Sequence, residues 1–208
     1  MKLLFLLTVL VIQLIEYHFI PISDIQDLTE TIIDCNYTFD EAIKGIEIPN
    51  STINQLTLVD VEYYSFDDRL HRGQIVINKK AVEDIKAIFD IIKTSRFPIA
   101  KVIPIVKYNW DDETSMNENN TTAFNYRKVK GSKVLSSHSS GMAIDINPLQ
   151  NPHIKVGKMS PSKGKYDIIA PGTIMRESKL VNEFVKRGWQ WGGKWKSSKD
   201  YQHFEKKN

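Results

Sequence analysis

The stretch "LSSHSSGMAIDINPLQNP", Leu135 to Pro152, decides how this chain is read. Its middle, "HSSGMAID", sets His138 and Asp145 seven residues apart around Gly141. Apolar runs such as "MAIDI" ordinarily exclude a carboxylate. Read as a strand, "MAIDIN" puts Met142, Ile144 and Ile146 on one face and Ala143, Asp145 and Asn147 on the other. Asp145 is then outside the packed face, on a polar face lined by small residues, and the question becomes what it holds there.

Outward from this strand the chain gives a mixed pattern. "STINQLTLVDVEYYSF" is rich in Val, Thr, Tyr and Ile and predicts a strand. "INKKAVEDIKAIFDIIKTSRF" predicts the clearest helix, capped by Asn78, with Val82, Ile85, Phe89 and Ile92 as one apolar stripe and Pro98 as its stop. "KVIPIVKY" reads as the next strand, with Pro104 marking an edge or a bulge. "NWDDETSMNENNTTAFNY" lacks periodicity and is expected to be a long loop bordering a site. "PLQNPHIKVGKMSPSKGKYDIIAPGT" is expected to be a second long loop. "ESKLVNEFVKRG" predicts another helix, with Leu180, Val181, Phe184 and Val185 inward and Gly188 after its end. The aromatic-dense close, "WQWGGKWKSSKDYQHFEKK", ends in a short strand. Without regular strand–helix–strand alternation, the expectation is an α+β fold: a small, mostly antiparallel sheet flanked by helices, with the site on the sheet face.

With 208 residues and 41% hydrophobic content, one buried core plus a leader is the expected organisation. Residues 1–20 read as a signal peptide or N-terminal anchor, 21–60 as an N-terminal extension and 61–208 as the functional domain. The leader reading rests on Lys2 followed by an apolar run from Leu3 to Ile15, broken only by Thr8 and Gln13. That run is short of the ~20 residues that a spanning helix needs, and no A-x-A-like cleavage site follows it. Export is the expectation, to a periplasmic, cell-wall or extracellular location, with membrane anchoring open. "NYT", "NST" and "NNTT" match the glycosylation pattern, which matters only in a host that glycosylates. Net charge is +3 with scattered Lys and Arg, and no nucleic-acid motif, basic stripe or repeat is present, so no nucleic-acid partner is expected. The single cysteine, Cys35, cannot form an internal disulfide and reads as a small buried hydrophobe. A monomer is the favoured oligomeric state.

The histidines are His18, His71, His138, His153 and His203. A zinc site with an open coordination position takes three protein ligands of nitrogen and oxygen type. His138 and Asp145 supply two, and "DYQHFE" offers His203 as a third. Asp200, three residues before it, is near enough to reach a water on the metal. Two neutral imidazoles and one carboxylate leave zinc net positive, able to lower the pKa of its water to about 7 and to polarise a carbonyl. On spacing alone, plain roles stay open. His138 can be an ordinary hydrogen-bonded histidine, Asp145 a turn partner, and Asp200 a cap or salt-bridge partner.

The combination narrows the choice. "SSHSSGMAID", "INP" and the terminal "GWQWGGKW…DYQHFE" resemble the zinc D-Ala-D-Ala carboxypeptidase and L-alanyl-D-glutamate endopeptidase family, the VanY-like peptidases. The signature S-x-H-x-x-G-x-A-x-D is carried by Ser136, His138, Gly141, Ala143 and Asp145, and the downstream D/E-x-x-H by Asp200 and His203. The likeness extends over roughly Tyr63 to Glu205, and "FNYR" with "AIDINPLQNP" is most similar to the endolysin-like branch. The resemblance implies zinc held by His138, Asp145 and His203. It implies Asp200 as general base and then acid, and Arg127 of "FNYR" facing the oxyanion. The implied substrate is a peptidoglycan stem peptide, cut at an amide next to a D-residue, by an L-Ala-D-Glu endopeptidase or a D-Ala-D-Ala carboxypeptidase. The alternative is a non-catalytic, zinc-stabilised wall-binding module on the same scaffold. Ser136 fits a supporting or a turn role. Glu205 fits a partner of a ligand imidazole or a surface carboxylate equally well. His71, His153 and His18 read as ordinary histidines. Trp189, Trp191 and Trp195 read as core and cleft wall.

Overall fold

The structure, a computed structural model, describes residues 30–207. The leader expected over residues 1–20, with His18, and the first part of the extension lie outside the described residues. From Thr31 onward the chain forms one compact unit. It opens with strand β1 (Ile32–Ile33) and two short helices, α1 (Phe39–Ala42) and α2 (Asn50–Ile53). Next come β2 (Leu56–Tyr64), β3 (Leu70–Asn78), helix α3 (Val82–Thr94) and β4 (Lys101–Val102). Helix α4 (Asp112–Asn117) and β5 (Asn120–Thr121) lead to β6 (Ala143–Asp145). The last part holds β7 (His153–Lys155), β8 (Lys158–Ser160), helix α5 (Lys179–Lys186), β9 (Gln190–Trp191), β10 (Lys199–Asp200) and β11 (His203–Glu205). Strand β2 runs across residue 60, where the sequence reading placed the start of the functional domain.

The fold is α+β. The strands are shared among small sheets: β1-β3-β2, β6-β11-β9, β10-β7-β8 and the pair β4-β5. Pairing is antiparallel except for β1 with β3 and β4 with β5. The core forms where α3 and α5 cover the apolar faces. Ile85, Ile88, Phe89 and Ile92 of α3 pack with Leu180, Val181 and Phe184 of α5, and with Ile75, Ile77, Ile144 and Phe204 from the strands. Each such side chain contributes about 1.5–3 kcal/mol when fully buried. Alternation holds along β6: Met142, Ile144 and Ile146 all enter this core.

Asn78 does what its position predicts and more. Its side chain accepts the Lys80 N–H at 3.0 Å, capping a 3-10 turn (Lys79–Ala81) that runs into α3. Its amide also donates to Ser140 O at 3.0 Å, and its backbone N–H to Gly141 O at 3.0 Å. The start of α3 is thereby tied to the turn that carries His138.

Several expectations are corrected. "KVIPIVKY" is strand only at Lys101–Val102. Pro104, which lacks an N–H to donate to a ladder, instead opens a 3-10 turn over Ile105–Tyr108. The expected loop at 109–126 contains α4, capped by Asp111, whose side chain accepts the Thr114 N–H at 2.7 Å. The second expected loop contains the hairpin β7–β8, turned by Val156 (φ 49°) and Gly157 (φ 70°). Two successive positive φ values match the two-residue hairpin turn, but a β-branched Val at the first position hides the signal. Val185, expected to point inward, is exposed. Cys35 is partly buried, and burial pushes its thiol pKa up to about 11, an unreactive setting.

Candidate metal centre

Three local devices bring the site together. The first is the turn around His138. Ser136 caps a 3-10 turn (Ser137–Ser140) by accepting the His138 N–H at 3.3 Å, so the turn role is the one its hydroxyl plays. Gly141 ends the turn at φ +65°, and a Cβ there would stand 2.7 Å from both Asn78 N and Leu56 Cδ2. Only glycine meets both the left-handed backbone and the close approach. The second device is register. β11 pairs antiparallel with β6 so that His203 lies directly opposite Asp145. Phe204, pointing the other way, stacks on Phe184 with ring centroids 3.8 Å apart. The third is the chain next to β5: Thr122 and Asp145 exchange backbone hydrogen bonds of 3.1 and 2.9 Å, and Ala123 O receives the His138 ring.

The resulting cluster is compact and buried. His138 Nε2 lies 3.2 Å from Asp145 Oδ2 and 3.2 Å from His203 Nδ1, and His203 Nδ1 lies 2.9 Å from Asp145 Oδ1. The outward ring nitrogens fix the tautomers. His138 Nδ1 is 2.5 Å from Ala123 O, a group that only accepts, so Nδ1 carries the proton. His203 Nε2 faces Glu205 Oε2 at 3.4 Å, and by the same reasoning it carries the proton there. In neutral rings, His138 Nε2 and His203 Nδ1 are then lone pairs, aimed at each other and at two carboxylate oxygens.

Four acceptors converging without a donor need a cation between them or an extra proton. With no cation, the electrostatics show the strain. Burial opposes a charge on His203, yet the hydrogen bonds with Asp145 and Glu205 outweigh it and push its pKa up to about 10. Burial likewise opposes a charge on Asp145, and the two imidazoles overcome it and hold the carboxyl well below its usual range. The donor set also fits an ion sterically. In a tetrahedron with bonds of about 2.0–2.1 Å, donors sit about 3.3 Å apart, close to the 2.9–3.2 Å spacings here. Among the described residues, His138, Asp145 and His203 form the cluster able to hold a metal ion.

Asp200 stands beside this cluster. Burial, then the negative charge of Asp145, raises its pKa above the ordinary carboxylate value. Its Oδ1 is buried with no hydrogen-bond partner, and its Oδ2 lies 3.9 Å from His153 Nδ1. The backbone of Gly192 is pressed against it: a Cβ at residue 192 would stand 2.6 Å from Asp200 O. Glu205, whose two readings were balanced, is turned to His203; that hydrogen bond holds its pKa below the usual value. Trp195 is half-buried with its ring 5.4 Å from the His203 ring, whereas Trp189 and Trp191 are core.

Arg127 is placed less directly. Its backbone is locked to the His138 turn: its N–H donates to Ser139 Oγ at 3.0 Å, and its carbonyl accepts the Ser136 N–H at 3.0 Å. Its guanidinium pairs with Asp112 at 2.6 Å, and its Nε is buried with no partner. His71 is turned away from any such chemistry, with ring nitrogens on Asp34 (2.9 Å) and Asp67 (3.2 Å). The sequence reading missed Ala123, Thr122 and Gly192, which act through the backbone and carry no motif. It also treated His153 as ordinary.

Residues 130–206 match a family model described as D-alanyl-D-alanine carboxypeptidase. The span takes in His138, Asp145, His153, Asp200 and His203, and starts after Arg127. No solved structure matches the chain. The match supports the resemblance seen in the signature, and a peptidase acting on peptidoglycan.

Proposed function

We propose that this chain is a zinc peptidase that hydrolyses an amide bond next to a D-amino acid in peptidoglycan stem peptides. One observation carries the reading: the convergence of His138 Nε2, His203 Nδ1 and the Asp145 carboxylate, all acceptors, beside a second carboxylate with a free buried oxygen. Two imidazoles and one carboxylate are the donor set of a zinc site that keeps an open position. Zinc bound there supplies Lewis acidity, activating water and polarising the scissile carbonyl.

The protein's own groups move the proton. Asp200 Oδ1 takes a proton from the attacking water as the water oxygen bonds to the carbonyl carbon. Asp200 then gives that proton to the leaving amine as the C–N bond breaks, so one water is consumed and a carboxyl and an amine end are released. Its raised proton affinity suits a group that must hold a proton between the two steps. Glu205 fixes the His203 ring through Nε2, which keeps Nδ1 as the free lone pair. Arg127, whose backbone is tied to the His138 turn and whose guanidinium pairs with Asp112 while its buried Nε has no partner, is assigned the positive charge for the developing oxyanion. Arg127→Ala is expected to keep zinc and fold and to lose about 100- to 1,000-fold in kcat. An unchanged kcat in this variant would remove Arg127 from the mechanism.

The apolar N-terminal run supports export, with the substrate on the far side of the membrane. The matched family's description favours a terminal D-Ala bond, and the likeness of "FNYR" and "AIDINPLQNP" to the endolysin-like branch favours L-Ala-D-Glu. Digestion of purified peptidoglycan, with mass spectrometry of the released fragments, tests class and bond together. The expected result is a cut stem peptide, abolished by a chelator and restored by zinc. Binding without any released fragment would replace this reading with the non-catalytic wall-binding module.

A further inference from the structure

Asp200 is the residue on which the proposed chemistry turns, and the side chain facing it is His153. The two are cross-strand partners: β10 pairs with β7 so that Asp200 lies directly opposite His153. The pairing faces the imidazole toward the carboxylate, with His153 Nδ1 3.9 Å from Asp200 Oδ2. Two other atoms of the pair, His153 Nε2 and Asp200 Oδ1, are buried and have no hydrogen-bond partner. A buried polar atom left unmade costs about 1–3 kcal/mol. Two of them on one facing pair, next to a metal-ligand cluster, mark a place built to receive something.

Each orphan has its own complement. Asp200 Oδ1 can only accept when ionised, and the reacting water is a donor. If His153 Nδ1 carries its proton toward Asp200 Oδ2, then Nε2 is a lone pair and needs a donor as well; a peptide N–H supplies one. A separation of 3.9 Å is longer than a hydrogen bond. It closes by a shift of about 1 Å, and catalytic hydrogen bonds are often long before substrate binds. The Gly192 backbone packs closely against the main chain of Asp200 and leaves its carboxylate to be oriented by a side chain.

We propose that His153 is a positioning residue for Asp200: its Nδ1–H holds Asp200 Oδ2, which presents Oδ1 to the reacting water, and its Nε2 accepts an N–H of the peptide substrate. The inference rests on the peptidase reading for its kinetic consequences, and its structural core is tested separately. His153 is distinct from the metal set of His138, Asp145 and His203, so removing it leaves the ligands in place.

The experiment uses the zinc-loaded protein with a synthetic stem peptide and, in parallel, nitrogen-15 NMR of the histidine rings. His153→Ala is expected to keep its zinc and to lose about 10- to 100-fold in kcat, the usual worth of a group that orients a reacting partner. His153→Asn keeps an N–H near the Nδ1 position and lacks the Nε2 atom. It is expected to recover most of the lost kcat and to keep a raised KM. In an Asp200→Ala background, His153→Ala should add nothing to the loss in kcat, because that part of its role acts through the missing carboxylate. NMR should show His153 in the Nδ1–H tautomer at about pH 8, above the ordinary imidazole range, and Asp200→Ala should abolish that preference. Wild-type kcat in His153→Ala, zinc loss in that variant, or a further drop in the double variant would each overturn the proposal. The drop in the double variant that counts is one in kcat, and the Nε2–H tautomer in the wild-type protein would overturn the proposal as well. A wild-type protein that cuts no stem peptide but shows the Asp200-dependent tautomer would fail the peptidase reading and leave the pairing standing.

Discussion

Asp200→Ala is expected to retain about one zinc per chain and to lose turnover by about 100- to 10,000-fold, the range for a positioned general acid–base. The reason is geometric. Asp200 stands beside the cluster of His138, Asp145 and His203 and is not one of its three members. Asp200→Asn should lose a similar amount, since an amide of the same shape cannot take a proton from water. Metal analysis and steady-state kinetics on the two variants check both halves. Wild-type turnover would point to another base, with Glu205 the first suspect. Zinc loss on Asp200→Ala would make the aspartate a ligand and exchange its role with one of the three.

His203→Ala is expected to do the opposite: zinc affinity collapses and turnover with it. Three donors become two, and the Asp145 carboxylate loses its 2.9 Å partner. Metal bound only by the folded state adds to stability, by about 4 kcal/mol at a thousandfold excess over Kd. For a chain of this size that is on the order of 10 °C in Tm. The wild-type protein should show such a rise on adding zinc, and His203→Ala should show almost none. Comparing melting curves with zinc and with chelator isolates the metal contribution from the packing lost with the ring. A full zinc-dependent rise in His203→Ala would mean that the ion sits elsewhere.

Gly141 shows how the signature becomes physical. The sequence marks it as a glycine between His138 and Asp145; the structure shows a backbone at φ +65° packed against Asn78 and Leu56. The glycine is what lets the His138 turn approach β3 closely, where Asn78 grips it through Gly141 O and Ser140 O.

The sequence by itself determined the elements whose signals are local and periodic. The stripe of α3, the alternation of "MAIDIN" and the Gly188 stop of α5 each follow from near-neighbour geometry and stand where their residues put them, while Asn78 caps the 3-10 turn that leads into α3. Spacing offered His138, Asp145 and His203 and left plain roles open; the resemblance carried by the signature implied them as ligands, and the fold brings the three together. What the sequence left undetermined depends on contacts between distant segments. The β6–β11 register that sets His203 opposite Asp145, the Ala123 carbonyl that fixes the His138 tautomer and the Gly192 backbone against Asp200 all act through main chain, whose atoms are the same in every residue. His153 belongs to this second group. Its imidazole is unremarkable in sequence, and only the pairing of β7 with β10, about 45 residues apart in the chain, turns it toward Asp200.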